Sequence, residues 1–217
     1  DRYVDCMLKE GWHQDTYVEE YHRAFFDNRA RGKALNKCGV DDVHIGGLAP
    51  VPALLAALDV IHESPADIDV EILVDHVSLT HRNHQVVKST RALAAMLLAI
   101  SGGTSLRDAI ADHGGPWAKP SKLEAWARQA DRLTVGRQLS SACYLPGSFT
   151  ASLAIAWKYA EVGFSAGVLA NAKIGGDNCH RGAVVGALLG AACDIEPHWI
   201  ENLNTIKNIQ SDMILGS

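Results

Sequence analysis

Apolar residues recur along most of this chain at three- and four-residue spacing, which predicts α-helices. The clearest example is HQVVKSTRALAAMLLAISGG, where one broad stripe ends at a Gly-Gly pair. Few segments alternate apolar and polar residues with period two. We therefore predict an all-α fold, a compact helical bundle.

Capping and helix-breaking residues place further helices along the sequence. Asp15 is a candidate N-cap for the segment DTYVEEYHRAFFDN. Another helix is predicted to begin around Pro65–Asp67 and to end near Thr80–Asn83. The long segment before the second Gly-Gly pair is predicted to form two helices, broken at Gly163.

Composition narrows the class of protein. The chain has 217 residues, 47% of them hydrophobic, so it can bury a core. Its net charge is −5, so nucleic acid is not an expected partner. Its apolar runs stop short of membrane-spanning length. Five scattered cysteines without a CxxC pair favour a reducing compartment, with the cytoplasm as the expected location and an organelle, after removal of a targeting segment, as the alternative.

The most informative stretch is NAKIGGDNCHRGAVVGALLGAA, which reads as a glycine-rich loop followed by a helix. Gly175 and Gly176 permit positive φ angles and close approach of the backbone to a ligand. Asp177, Asn178 and the N–H groups of the helix start could hold a cation, a phosphate or a ribose hydroxyl. The alternative is a simple cap, in which Asp177 or Asn178 only terminates the helix.

This stretch resembles the C-terminal signature of the ADP-ribosylglycohydrolase family, with Gly175, Gly176, Asp177 and the run 186–191 as the matching residues. Three further segments resemble the family in the same order: HIGGLAPVPALLAAL, HVSLTHRNHQVVKSTRALAAMLLAISGGTSLRDAI and YLPGSFTASLAIAWKY. The closing IEPHWIENL is similar as well. The resemblance therefore covers most of the chain and implies the all-α fold of that family, a compact orthogonal helical bundle.

The resemblance also implies a function. Family members bind two magnesium ions and hydrolyse the N- or O-glycosidic bond of ADP-ribose conjugates, so ADP-ribose or an ADP-ribosylated substrate is the expected ligand. Asp177 is then the expected metal ligand and catalytic residue. The expected substrate-binding residues are His44, Gly46, Gly47, Gly175, Gly176, Asn178 and His180.

The chain departs from the family pattern at two places. The acidic N-terminal motif is not found, since Asp15 and Asp41–Asp42 lie in other contexts, so residues 1–217 are expected to be the C-terminal two-thirds of a longer domain. In the C-terminal motif, Cys179 stands in place of the second Asp and His180 in place of Thr. Magnesium prefers oxygen ligands, and Cys with His suits zinc, although adjacent side chains on a helix point in different directions. The alternative function is therefore non-catalytic, as a crystallin-like protein or a subunit of a larger assembly.

Other candidate residues allow two interpretations each. His44 either lines a substrate cleft or lies on a surface loop, whereas His81 is expected to anchor a helix start. An aromatic-basic patch either contacts adenine and pyrophosphate or forms the core-facing stripe of a helix with a solvated edge. Its residues are Tyr21, His22, Arg23, Phe25 and Phe26.

Overall fold

The computed structural model describes residues 2–12, 17–61 and 67–203. In this part of the chain the regular structure is helical, and β-pairing is limited to two isolated bridges. The α-helices in chain order are α1 (Arg2–Leu8), α2 (Glu20–Ala30), α3 (Val51–Ile61), α4 (Glu71–Ser78), α5 (His84–Ser101), α6 (Leu106–His113), α7 (Pro120–Ala127), α8 (Asp131–Leu133), α9 (Gly147–Tyr159), α10 (Phe164–Ile174), α11 (Asn178–Ala192) and α12 (Pro197–Glu201). The all-α prediction is confirmed.

The core is built around α5, α9 and α11. Residues 148–157 of α9 are all buried, because α7, α10 and α11 pack against this helix. Small residues let α10 and α11 approach closely: a Cβ atom on Gly167 would lie 2.2 Å from Leu189 Cδ1. Gly167 on α10 thus allows the close packing against Leu189 that fixes α11 in the core.

Several predicted boundaries are confirmed and one is displaced. The break falls at Gly163, whose φ of 114° is open to glycine at little cost. α4 begins at Glu71 instead of 65–67, and the Asp69 carboxylate accepts a hydrogen bond from the Glu71 N–H at 3.0 Å. Pro65, like the Asp15 cap, lies outside the described residues.

A second, smaller cluster joins the N-terminal helices. Val4 of α1, Phe25 of α2 and Cys38 are buried together, apart from the main core. The ring of Tyr3 packs edge-on against Phe25 with centroids 5.0 Å apart. This packing holds α2 so that the buried ring of Tyr21 faces the loops described below.

Two further expectations concern cysteines and membranes. All five cysteines are free, as their scattered spacing predicts. Among the described helices, none combines the length and apolar character needed to cross a membrane.

Candidate functional site

The loop before α11 has the backbone conformation that its glycines predict. Gly175 and Gly176 have φ angles of 81° and 69°, a region that side chains rarely adopt. Asp177 then caps α11, and its Oδ1 accepts a hydrogen bond from the His180 N–H at 3.3 Å. The capping interpretation of Asp177 is therefore confirmed. Both carboxylate oxygens also contact the ring of His180, as described below.

Arg181 supports this loop from inside the protein. Its side chain is fully buried, and Nε donates to the Asn171 side-chain oxygen at 2.6 Å. Nη2 donates to the Gly175 carbonyl at 2.9 Å, and Nη1 makes a longer bond of 3.4 Å to the Ser141 carbonyl. Burial lowers the pKa of the guanidinium, and the Asp177 carboxylate opposes that shift. Arg181 thus ties the glycine loop to α10 and to the segment before α9.

Sequence reasoning missed Arg181, although a signal was present. On α11 the buried positions are Arg181, Val184, Val185, Leu188 and Leu189, so the arginine lies in the apolar stripe of the helix. A charged residue at an apolar position of a periodic stripe is rare unless it is paired. Such a position predicts a buried arginine with specific acceptors.

Segment 141–145 connects the glycine loop with a second loop that precedes α3. The Ser141 carbonyl accepts the Asp177 N–H at 2.9 Å. Four residues later, the Leu145 N–H donates to the Val43 carbonyl at 2.9 Å, and the Cys143 carbonyl accepts the Ile45 N–H at 2.8 Å. One short segment therefore fixes the two loops relative to each other.

The second loop places His44 and Gly46 at the centre of the site. Asp42 Oδ1 accepts the His44 N–H at 2.7 Å, and His44 Nδ1 accepts the Gly46 N–H at 2.9 Å. A Cβ atom on Gly46 would lie 2.8 Å from His44 Nδ1, 2.9 Å from the Tyr21 hydroxyl and 3.2 Å from His180 Cδ2. Side chains from three separate parts of the chain therefore converge on Gly46, where a larger residue would collide with them.

His180 completes this cluster. Its Nδ1 lies 3.1 and 3.2 Å from the two carboxylate oxygens of Asp177, and its ring is almost perpendicular to that of His44, with centroids 4.8 Å apart. Burial lowers the pKa of His44, and the neighbouring His180 lowers it further. His44 is 8% exposed, so the surface-loop interpretation of this residue is wrong.

A cavity of about 490 Å³, called the site cavity below, opens beside the cluster. Its lining includes Tyr21, Gly46, Gly47, His81 and His180. A second cavity of about 310 Å³, the outer cavity, shares Tyr21, His22 and His180 with it and adds aromatic side chains from the N-terminal region. His180 therefore lies where the two cavities meet. A larger cavity of about 550 Å³ near α8 and α10 contains none of the predicted site residues, so we do not assign the chemistry to it.

His81 forms part of the wall of the site cavity. It is 1% exposed, its ring lies 4.2 Å from that of Tyr21, and its Nδ1 is 2.8 Å from the Thr80 hydroxyl. Burial lowers the pKa of His81 to about 4, so the imidazole is neutral near pH 7. Within the described structure its Nε2 has no hydrogen-bond partner. The expected anchoring of a helix start is wrong, because Asn83 caps α5 through its own side chain.

The remaining predicted residues have other positions. Asn178 lines neither cavity, and its side-chain amide donates to the Ala172 carbonyl at 3.1 Å. Gly175 and Gly176 shape the loop without lining either cavity, and Gly47 lies against the His81 ring. Cys179 is exposed and does not belong to the group of potential metal ligands formed by His44, Asp177 and His180.

The aromatic-basic patch on α2 divides into two parts. Phe25 is completely buried, and Arg23 is exposed and donates to the Val18 carbonyl, so most of the patch is a core stripe with a solvated edge. Tyr21 is the exception, because its buried ring reaches both cavities. The sequence marked Tyr21 as a possible ligand contact but did not connect it with His44 or His180.

The donor atoms of this cluster do not match the preference of magnesium. His44, Asp177 and His180 bring their ligand atoms within 4.8 Å of one another, and they are the one group of three or more such residues in the described part of the chain. Magnesium takes oxygen ligands, whereas this group supplies one carboxylate and two imidazoles. Asp41 and Asp42 brace loops: the Asn83 amide donates to Asp41, and Asp42 holds the His44 backbone. The magnesium site expected from the resemblance therefore stays a prediction.

Comparisons with known proteins complete the description of the site. A search of the curated proteins found no match to this chain. The model of the family described as ADP-ribosylglycohydrolase matches residues 2–215, and the chain therefore belongs to the ADP-ribosylglycohydrolase family.

Proposed function

We propose that this protein binds ADP-ribose conjugates in the site cavity and hydrolyses their glycosidic bond. One observation carries the proposal. Tyr21, Gly46–Gly47 and His180 are far apart in the sequence, yet they line one cavity. His44 and Asp177 lie beside that cavity, each in contact with His180. A cavity that joins aromatic walls to a few convergent polar groups is typical of a small-molecule site.

The chemistry of the residues fits such a ligand. The ring of Tyr21 offers a face for stacking on a base or a sugar, and the imidazoles of His44 and His180 can hydrogen-bond to ribose hydroxyls or pyrophosphate. The Asp177 carboxylate can accept hydrogen bonds from a ribose hydroxyl or from the attacking water. In hydrolysis, water forms the new bond to the anomeric carbon, the bond to the leaving group breaks, and the leaving group takes up a proton.

Titration calorimetry with ADP-ribose tests the binding part of the proposal. We expect wild-type protein to bind ADP-ribose and Gly46→Ala to lose most of that affinity, because the added Cβ would occupy the space between Tyr21, His44 and His180. Gly115→Ala is the matched control, since a Cβ there meets no atom within 4 Å. Equal binding by wild type and Gly46→Ala would place the ligand elsewhere.

Mass spectrometry tests the hydrolytic part. Peptides carrying ADP-ribose on arginine or on serine are incubated with wild-type protein and with Asp177→Asn. Release of free ADP-ribose by the wild type alone supports hydrolysis and identifies the leaving group. Binding without release from either peptide would favour the non-catalytic alternative.

A specific observation favours that alternative, a role in an assembly. Val60 and Ile61, two consecutive large apolar residues at the end of α3, are 88% and 75% exposed, and a larger exposed apolar patch is typical of an interaction surface. We expect light scattering to show self-association that Val60→Lys abolishes if this surface is an interface. An unchanged monomer mass for both proteins would remove the support for this alternative.

The cellular location and the extent of the domain stay predictions. Free cysteines are compatible with a reducing compartment.

A further inference from the structure

The arrangement of Asp177 and His180 is already close to that of two ligands on one ion. His180 Nδ1 lies 3.1 Å from Asp177 Oδ1, whereas two ligand atoms at zinc-type bond lengths in a tetrahedral site are separated by about 3.4 Å. The ligand atom of His44 lies within 4.8 Å of both. A side-chain movement of about 1 Å would therefore bring all three onto one ion of that size.

The kind of ion follows from the donors. Imidazole suits Zn²⁺, Co²⁺, Ni²⁺ and Fe²⁺, and two histidines with one carboxylate form a common set for such ions. Cys179 cannot replace His44 in this set, because the Cys179 side chain is exposed and lies outside the cluster. Helix geometry already argues against a pairing of Cys179 with the adjacent His180, and the fold instead brings His180 together with His44.

The surrounding charges act in both directions. The buried guanidinium of Arg181 interacts with the Asp177 carboxylate and opposes a cation there. The carboxylates of Glu19 and Asp42 lie close enough to His44 to favour positive charge at its ring, as does Asp177. Burial of His44 and the neighbouring His180 act against positive charge at the ring, so the geometry of the three donor atoms supports the site and the charge balance does not decide it.

His44 must exchange one contact for another when it binds an ion. Its Nδ1 accepts the Gly46 N–H at 2.9 Å, and a metal-bound imidazole either uses that nitrogen for the metal or carries a proton on it. In both cases the hydrogen bond from Gly46 is lost. The Gly46 amide therefore reports directly on metal binding by His44.

We infer that His44, Asp177 and His180 hold one divalent transition-metal ion, in place of the family's magnesium, with an open position toward the site cavity. Three protein ligands leave a fourth position free for water or for an oxygen of a bound ligand. His180 lines both cavities, so that position is accessible to a small molecule. The inference concerns the site of the proposed function but does not require ADP-ribose to bind.

Cobalt titration tests the inference. The full, untagged chain is treated with a chelator, desalted and titrated with Co²⁺ while the visible absorption of the ion is recorded. We expect one site that competes with Zn²⁺ and that an excess of Mg²⁺ does not displace. His44→Ala, Asp177→Asn and His180→Ala should each weaken cobalt binding by at least about tenfold.

His84→Ala is the matched control, because His84 is an exposed histidine at another helix start and should leave the cobalt titration unchanged. Circular dichroism shows whether each variant is folded. Amide NMR of the wild type gives a second measurement that needs no variant, since saturating Zn²⁺ should shift the Gly46 resonance.

Three results would overturn the inference: no cobalt binding by the wild type, displacement by Mg²⁺, or equal binding by wild type and all three ligand variants. ADP-ribose titration of the same samples separates this failure from failure of the proposed function. ADP-ribose binding without cobalt binding rejects the metal site alone, and cobalt binding without ADP-ribose binding rejects the proposed function alone.

Discussion

Replacing Arg181 should destabilise the protein and the site loop together. Arg181→Met keeps much of the apolar stem but removes the guanidinium, leaving the Asn171 side-chain oxygen and the Gly175 carbonyl without their bonds of 2.6 and 2.9 Å. A buried acceptor left unsatisfied costs about 1–3 kcal/mol; this applies in full to the buried Asn171 side chain and only in part to the partly buried Gly175 carbonyl. Removing a fully buried charge offsets part of this loss, so we expect a net loss of about 1–3 kcal/mol.

Urea unfolding followed by circular dichroism measures this loss. The transition midpoint of Arg181→Met should fall while the slope stays the same, because the surface exposed on unfolding hardly changes. Arg128→Met is the matched control: its side chain is 78% exposed and lies 3.8 Å from Glu124, so the free energy of unfolding should change by less than about 0.5 kcal/mol.

The same variant connects stability with the site. Because Arg181 and Asp177 share the Ser141 carbonyl, loss of the guanidinium should also loosen the loop and weaken ADP-ribose and cobalt binding. If Arg181→Met and Arg128→Met unfold at the same urea concentration, Arg181 does not brace the loop and the reasoning is refuted.

Three further predictions follow from glycines and a histidine at the site. Gly176→Ala should lower the free energy of unfolding in urea by about 1–3 kcal/mol, because φ is 69° and the new Cβ would lie 2.2 Å from the Ser141 carbonyl oxygen. Gly186→Ala on α11 is the control: a Cβ there meets nothing within 4 Å, so this variant should be slightly more stable than the wild type. Gly46→Ala should leave a folded protein that binds ADP-ribose at least about tenfold more weakly, and an unchanged titration would contradict the placement of the ligand. His81 has a pKa of about 4 when folded, below the ordinary 6.5, so the unfolded chain binds a proton first and stability should fall as pH drops from about 6.5 to about 4, by at most about 3 kcal/mol. In His81→Gln this part of the pH dependence should disappear, and an identical pH profile would contradict the assignment.

Local features of the sequence determined the helices and the glycine loop. The apolar stripe of α5, the break at Gly163 and the cap at Asp177 depend on neighbouring residues, and the structure has each of them where the pattern predicts. Periodicity and capping are short-range effects, so they can be read without knowing the fold. The late start of α4 shows the limit of this reading, since the Asp69 carboxylate competes for the backbone there.

Only the tertiary structure decided which residues meet at the site. His44 and His180 are more than a hundred residues apart, and their rings come together because segment 141–145 binds both loops through backbone groups. Backbone hydrogen bonds leave no trace in residue type, so no pattern could predict that support. The burial of Arg181 likewise depends on acceptors from two separate segments, residues 171–175 and Ser141. The sequence by itself therefore determined the family, the helices and the motif, whereas the cluster of His44, Asp177 and His180 exists only because long-range packing brings their loops to one cavity.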